Sequence, residues 1–348
     1  MLENWQAFLQ KQGASIENNR VVSFKNSGNK VNTDGQMTVL CDLSHYRLYK
    51  VSGTDAVAFL QGQLSNDINQ VSEQHSQLSS YCSPKGRALA LLRIFQIDNN
   101  YFISLPDEIA DKTVNRLKMF VLRSDVVIDD VTEQFFHFGL AGSAAGESIS
   151  AVFDFTSLPD ETDQAIVSNG VSCQKLPGSL NRYELFGPVE QAIESWTQLS
   201  ESCVAEQESS WNLQRIQAGI PEILIETSEE FVPQMLNLQL INAVNFQKGC
   251  YPGQEIVART KYLGKLKKRL YLIETNEESD ISAGTDLYES GDNQQSVGKV
   301  VSIEPAGTNI QNGLAVLRIS AVDNQPITLA SKDGSAIKLL DMPYAFEE

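Results

Sequence analysis

Histidine is scarce in this 348-residue chain: there are three, His45, His75 and His137, each isolated. An isolated histidine reads as a packed or surface residue, so nothing supports a histidine metal site or a Cys–His relay. Cysteine is thin too. Cys41, Cys82, Cys173, Cys203 and Cys250 are odd in number and form no CxxC pair. That argues against a disulfide scaffold and leaves no ligand cluster from which this chain alone could build a zinc or iron–sulfur site. No GxSxG elbow, Walker loop or GxGxxG fingerprint occurs. No apolar run approaches the ~18 residues of a membrane helix. The opening "MLENWQAFLQKQGAS" lacks the basic-then-apolar pattern of a secretion signal, so a cytoplasmic protein with no membrane partner is expected. Positive charge is also short, with 27 Lys and Arg against 44 Asp and Glu and a net charge of −17. Such a field repels phosphate and excludes indiscriminate coating of nucleic acid, though not a local basic face.

What is present suits an α+β protein of more than one core. "QMTVLCDLSHYRLYKVS" reads as two strands with a turn near Asp42 to Ser44. "TDAVAFLQGQL" reads as a helix capped by Thr54. "SSYCSPKGRALALLRIFQI" is a hairpin turning at Pro84 and Gly86. In "PDEIADKTVNRLKMFVLRSDV", Ala110, Val114, Leu117 and Val121 fall at helical spacing, with Asp107 available as cap. Residues 125–187 mix short strands with polar loops such as "AGSAAGES". "PVEQAIESWTQLSES" reads as a helix with Ile193, Trp196 and Leu199 on one side. "SSWNLQRIQAGIPEI" is a helix stopped by Gly219 and Pro221. From Arg269 the texture changes to short β-like runs, as in a small all-β barrel or sandwich. The expected division is a body over residues 1–260 and a β domain over 261–348.

The stretch "KGCYPGQEIVARTKYLGK", at that expected junction, is the most unusual. Gly249 and Gly253 allow special backbone conformations and close approach, and Pro252 stiffens the turn between them. On a strand, Lys248 and Cys250 would share a face, and the ammonium would favour the thiolate. Alternatively Cys250 is an inert buried hydrophobe. Arg259, Lys261, Lys265, Lys267, Lys268 and Arg269 then place six basic residues in an eleven-residue window. They suit a phosphate or polyanionic tail, or else guard a strand edge. Trp211 is either core or a platform for a flat heteroaromatic ligand.

"FQKGCYPGQEIVAR" closely resembles the signature of the YgfZ family of folate-binding, tRNA-modifying proteins, relatives of the aminomethyltransferase (T-protein) of glycine cleavage. "FLQGQLSNDI", "SPKGRALALLRIF", "LKMFVLRSDV", "RIQAGIPEI", "FVPQMLNLQLINAVNFQKGCYPGQE" and "LDMPYAFEE" extend the resemblance from Asp42 to the C-terminus. It implies two α+β lobes and a C-terminal small β-barrel, with tetrahydrofolate or a derivative as cofactor. It places Tyr46 and Trp211 where the family holds folate between aromatic side chains. Tyr46 stands where tryptophan is often found, and a phenol stacks with less area. Gln217 stands where relatives carry glutamate, and it can accept one bond but offers no charge. Gln254, Glu255 and Arg259 order the loop, and Arg259 with the lysines meets the folate tail or RNA phosphate. Aminomethyltransferases carry an acidic pair where this chain has Leu89 and Ala90, neither of which can exchange a proton. The function implied is a folate-binding accessory protein supporting tRNA modification and iron–sulfur enzymes, with Cys250 as functional thiol and Lys248 as its activator. Its partners would be folate, iron–sulfur tRNA-modifying enzymes and, through the basic window, tRNA. A single thiolate cannot complete a four-ligand cluster, so a partner would supply the rest. Two alternatives are a tetrahydrofolate-dependent one-carbon transferase using Asp67 or Glu255, and an RNA-binding module with a vestigial pocket.

Overall fold

The computed structural model describes residues 2–25, 37–276, 281–290, 296–322, 326–331 and 334–346. Gln36 of the expected strand pair and Glu347 and Glu348 of the terminal motif lie outside these residues. The chain divides into two compact units, each discontinuous in sequence. The first comprises Met1–Phe59, Asn69–Gln77 and Arg93–Asn212, and the second Leu60–Ile68, Leu78–Leu92 and Leu213–Glu348.

The chain opens with helix α1 (Glu3–Lys11) and a hairpin of β1 (Ala14–Glu17) and β2 (Arg20–Phe24). β3 (Val39–Asp42) and β4 (Tyr46–Ser52) follow, broken where a turn was expected. There the Asp42 carboxylate accepts from Ser44 Oγ at 2.8 Å and from Trp5 Nε1 at 2.9 Å. Helix α2 (Ala56–Gln63) begins after Thr54, which is no cap. Thr54 lies one residue ahead of the cap position and instead donates its N–H and Oγ1 to Asp125. β5 (Gln77–Cys82) and β6 (Ala88–Ile97) form the expected hairpin. Its turn is closed by Gly86 N to Ser83 O and Ser83 N to Arg87 O, both 2.8 Å. β7 (Asn100–Pro106) leads into α3 (Asp107–Lys118), which buries Ala110, Val114 and Leu117 as their spacing predicts. Val121 lies past the helix end. Asp107 is the first helical residue rather than the cap, and its carboxylate takes the Arg47 guanidinium at 2.5 Å.

β8 (Val127–Asp130) and β9 (Phe135–Ala141) precede α4 (Ala145–Val152). The "AGSAAGES" segment is thus partly helical rather than a loop. Its alanines favour a helix although its glycines do not, and Ala145, Ser148 and Ile149 find a core to pack on. β10 (Ala165–Ser168), β11 (Val171–Leu176), β12 (Arg182–Pro188), α5 (Ala192–Leu199), β13 (Val204–Glu206) and α6 (Glu208–Gln217) complete this stretch. Trp196 and Leu199 are buried in α5, but Ile193 is 42% exposed. At ~100° per residue Ile193 lies about a quarter turn from the face made by Ala192, Ser195, Trp196 and Leu199.

The first unit holds a six-stranded sheet in the order β10-β11-β12-β9-β3-β13, antiparallel except that β13 runs parallel to β3. Its main core gathers Trp5, Phe138, Trp196 and Leu199. A second sheet has the order β5-β6-β7-β4-β8. β6 starts in the second unit and ends in the first, where Arg93 to Ile97 pair with β7.

In the second unit α7 (Gln254–Tyr262) is followed by β14 (Lys268–Asn276), β15 (Asp286–Glu289), β16 (Ser296–Gly307), β17 (Ile310–Arg318), α8 (Ile319–Val322), β18 (Ile327–Leu329) and β19 (Lys338–Leu340). These strands form an antiparallel sheet ordered β18-β15-β16-β17-β14-β19. Register shifts in β16 at Val300/Ser302 and Pro305/Gly307 bend it, as bulges do. The sheet curls into a half-barrel, and its edges are drawn together: Ala336, just ahead of β19, bridges Thr328 of β18. The expected α+β class with a small C-terminal barrel-like sheet is therefore found. No helix of the described residues is long and apolar enough to cross a membrane.

Candidate functional site

The Lys-Gly-Cys-Tyr stretch lies in the second unit, on irregular backbone before α7. No strand forms here, so the alternation that would put Lys248 and Cys250 on one face is absent. Lys248 is buried, and its ammonium donates to the carbonyls of Gln61 and Leu64, each at 2.5 Å. These acceptors lie at the C-terminal end of α2, where carbonyls lack helical partners and a cation complements the dipole. Burial pushes the ammonium down to about 8, and the Asp67 carboxylate works against that shift. The ammonium also stands 5.3 Å from the centroid of buried Tyr251, whose phenol burial pushes up. Lys248 thus anchors the loop. Cys250, two residues on, is exposed, whereas Cys41, Cys82, Cys173 and Cys203 are buried.

The loop is braced from both ends. Gln254 Nε2 reaches Lys248 O at 3.5 Å, and Lys248 N donates to Asn245 Oδ1 at 3.1 Å. Gly253 heads α7 with φ +79°, and a Cβ there would meet Ser83 O at 2.3 Å and Gly86 Cα at 2.6 Å. Gly249, by contrast, has open space around it and no positive φ, so the expected constraint rests on Gly253. Glu255 and Arg259 are exposed on α7. Gln217, at the end of α6, is half-buried with Nε2 3.5 Å from Asn312 Oδ1. Leu89 and Ala90 are buried in β6. Asp67 Oδ1 accepts from Gln61 Nε2 at 2.9 Å.

The aromatic residues belong to the first unit. Trp211 is 1% exposed. Its six-membered ring lies against Gly139 of β9, where a Cβ would stand 2.8 Å from Cε3 and Cζ3. The Arg182 guanidinium sits 4.4 Å from the indole centroid. Tyr46, half-buried, packs against the cluster of Val39, Cys41, Leu43, Ala141, Leu176 and Trp211. It also touches His45 and His137, at centroid distances of 4.5 and 5.5 Å. Both histidines are packed residues with carboxylate neighbours: His45 Nδ1 lies 3.5 Å from Glu208, and His137 Nε2 3.8 Å from Glu184. Beside them is a polar cavity of about 520 Å³, lined by Arg20, His45, Arg47, Asp107, Asp130 and Glu133 among others. A smaller cavity of about 40 Å³ touches Tyr46.

Sequence reasoning missed Gly139, Arg182 and Arg318. The first two fix Trp211, and Arg318 faces Lys268 directly across β14 and β17. Strand register alone reveals Arg318, and the packing of α6 on the sheet alone reveals Gly139 and Arg182.

Residues 20–248 match the family model described as the GCVT N-terminal domain. The chain is 30% identical over 312 residues to the tRNA-modifying protein YgfZ of Colwellia psychrerythraea, spanning 88% of this chain and 93% of that one. Its fold is similar to that of glycine cleavage system aminomethyltransferase T from Bartonella henselae, with a TM-score of 0.81, 14% identity, and coverage of 98% and 97% of the two chains. A T-protein-like α+β fold and homology along nearly the whole length place the chain in the YgfZ family, within the group that carries the GCVT N-terminal domain.

Proposed function

We propose that this chain is a folate-binding accessory protein of tRNA modification that presents Cys250 as its functional thiol and performs no aminomethyl transfer. The observation that carries the reading is an exposed cysteine on a loop held by a buried lysine and a strained glycine, in a chain with apolar residues at 89 and 90. A structure spends stability to hold a loop in this way when the loop has a task. Leu89 and Ala90 offer no carboxylate to reacting groups. Membership of the YgfZ family and the T-protein-like fold support the general role.

Each unit, taken by itself, carries side chains whose chemistry suits a reduced folate. The amides of Gln217 and Gln254 match the mixed donors and acceptors of a pterin edge, and Arg259 suits the carboxylates of the glutamate tail. Tyr46 supplies aromatic surface, with Trp211 in the cluster behind it. Gln254, Glu255 and Arg259 order the loop from α7, and Lys248 acts on Cys250 by fixing that loop. The thiol serves iron–sulfur enzymes that modify tRNA, and any cluster it touches takes its remaining ligands from the partner.

Calorimetry with tetrahydrofolate, paired with tRNA modification in cells lacking the protein, tests this reading. Wild type binds tetrahydrofolate and restores modification. Cys250→Ser binds it equally and does not restore modification, and Tyr46→Ala binds it more weakly. No binding by wild type, or full restoration by Cys250→Ser, would overturn the reading. Folate-dependent aminomethyl transfer that survives Cys250→Ser would favour a transferase instead.

A further inference from the structure

Basic residues crowd one end of the second unit. Arg259 and Lys261 lie in the last turn of α7, Lys265 and Lys267 in the connection that follows, and Lys268 opens β14. Two structural roles could account for such charge, and neither covers the set. Cations complement a helix C-terminus, which accounts for Arg259 and Lys261 alone. Lysines guard sheet edges, which accounts for Lys268, because β19 pairs only with Leu272–Glu274 and leaves the start of β14 uncovered on that side, but not for Lys265 and Lys267 outside the strand. The register adds a further fact, because Lys268 stands directly opposite Arg318. Like charges in that position destabilise a ladder, and an anion laid over the pair relieves the cost. Among the described residues no carboxylate pairs with Arg259, Lys265, Lys267, Lys268 or Arg318.

Two large apolar side chains stand amid this charge. Tyr262 is 65% exposed and Leu263 85%. They are held in place: the N–H groups of Leu263 and Gly264 both donate to Arg259 O at 2.9 Å. Phe246 braces Tyr262 edge-on at 6.3 Å, and the Lys261 ammonium lies 4.9 Å from the Phe246 ring.

We propose that this end of the second unit is a platform for unpaired RNA, with a base stacked on Tyr262 and the neighbouring phosphates on Lys265, Lys267 and the Lys268–Arg318 pair. The proposal rests on the reading that the chain serves tRNA modification, and it specifies a single-stranded loop rather than a stem. A duplex hides its base faces, so one exposed phenol finds nothing to stack on, whereas splayed nucleotides offer a face each. A membrane of anionic lipid would use the same charges with Tyr262 and Leu263 immersed. The net charge of −17 opposes an extended anionic plane more than a thin strand that meets only the basic end.

Fluorescence anisotropy with an unstructured RNA 12-mer, a fully paired RNA hairpin and a whole tRNA tests it on the full-length chain. The 12-mer binds more tightly than the hairpin. Tyr262→Ala weakens the 12-mer roughly 5- to 150-fold, the span expected for one stacked base, and Tyr262→Trp restores it. Lys265→Gln with Lys267→Gln lowers the salt slope by about 0.7 per lost contact. Equal binding of Tyr262→Ala and wild type with an unchanged salt slope overturns the platform, while binding of whole tRNA leaves the wider reading intact. If no RNA binds, the platform falls, while the wider reading stands or falls on tetrahydrofolate binding and on the restoration experiment. Binding to phosphatidylserine vesicles without binding to the 12-mer overturns the proposal in favour of a membrane. Tetrahydrofolate titration of Tyr262→Ala checks that the variant is folded, since Tyr262 lies outside the proposed folate contacts.

Discussion

Gly86 and Gly253 meet back to back: a Cβ built on Gly253 would stand 2.6 Å from Gly86 Cα, and one on Gly86 would stand 2.7 Å from Ile256 Cβ. The β5–β6 turn and the head of α7 therefore fit only because neither residue has a side chain. Gly253→Ala and Gly86→Ala should each destabilise the protein by roughly 1–3 kcal/mol or more, since both positions also have positive φ. Urea denaturation checks this. The double variant should lose less than the two losses added together, because the two residues share one contact.

Thiol titration should count one reactive cysteine in the native protein and five after unfolding. Cys250 is exposed; burial pushes the Cys82 thiol up to about 11 and raises those of Cys41 and Cys173 as well. Cys250→Ser should remove the native signal. A second fast thiol in the native state would contradict the burial described for the others.

Lys248→Met should destabilise the protein by about 1–3 kcal/mol, because two carbonyls at the end of α2 lose their donor. Its pH dependence has a definite sign. Burial holds the folded ammonium down to about 8, against 10.5 for an ordinary lysine. Between these values the unfolded chain binds more protons, so wild-type stability rises with pH. The contribution is complete above 10.5 and is lost as pH falls through about 8. Denaturation of wild type and Lys248→Met from pH 7 to 10 should therefore show wild type gaining on the variant. A constant difference would mean that Lys248 is not desolvated.

Trp211→Ala should cost about 3–5 kcal/mol, as removal of a buried aromatic does. Gly139→Ala should also destabilise, because the new methyl meets the indole. If Trp211 acts on folate only through the cluster beneath Tyr46, Gly139→Ala will weaken tetrahydrofolate binding without touching the ligand. Calorimetry on the folded variant decides this.

Much of the fold was legible because the local signals were strong. Pro84 and Gly86 announced the hairpin, and the spacing of Ala110, Val114 and Leu117 announced α3. Caps were read less well. Thr54 and Asp107 have capping chemistry, but Asp125 and Arg47, distant in sequence, claim their side chains. The α4 segment looked like a loop because alanine and serine carry almost no hydrophobic signal until a core is placed beside them. In the candidate site the motif located Cys250 and Lys248. It could not tell that Lys248 turns toward Gln61 and Leu64, because those partners lie 187 and 184 residues away. Arg318 was invisible for the same reason, since its pairing with Lys268 exists only in the ladder.

The half-barrel sheet carries a consequence for processing. Residues 335–340 serve both of its margins, with Ala336 bridging β18 and Lys338–Leu340 pairing with β14. Trimming by a carboxypeptidase back to Gly334 would free two rows of backbone donors and acceptors in a single event. Such a clipped form should self-associate by strand addition, because those rows would accept a strand from a neighbouring molecule.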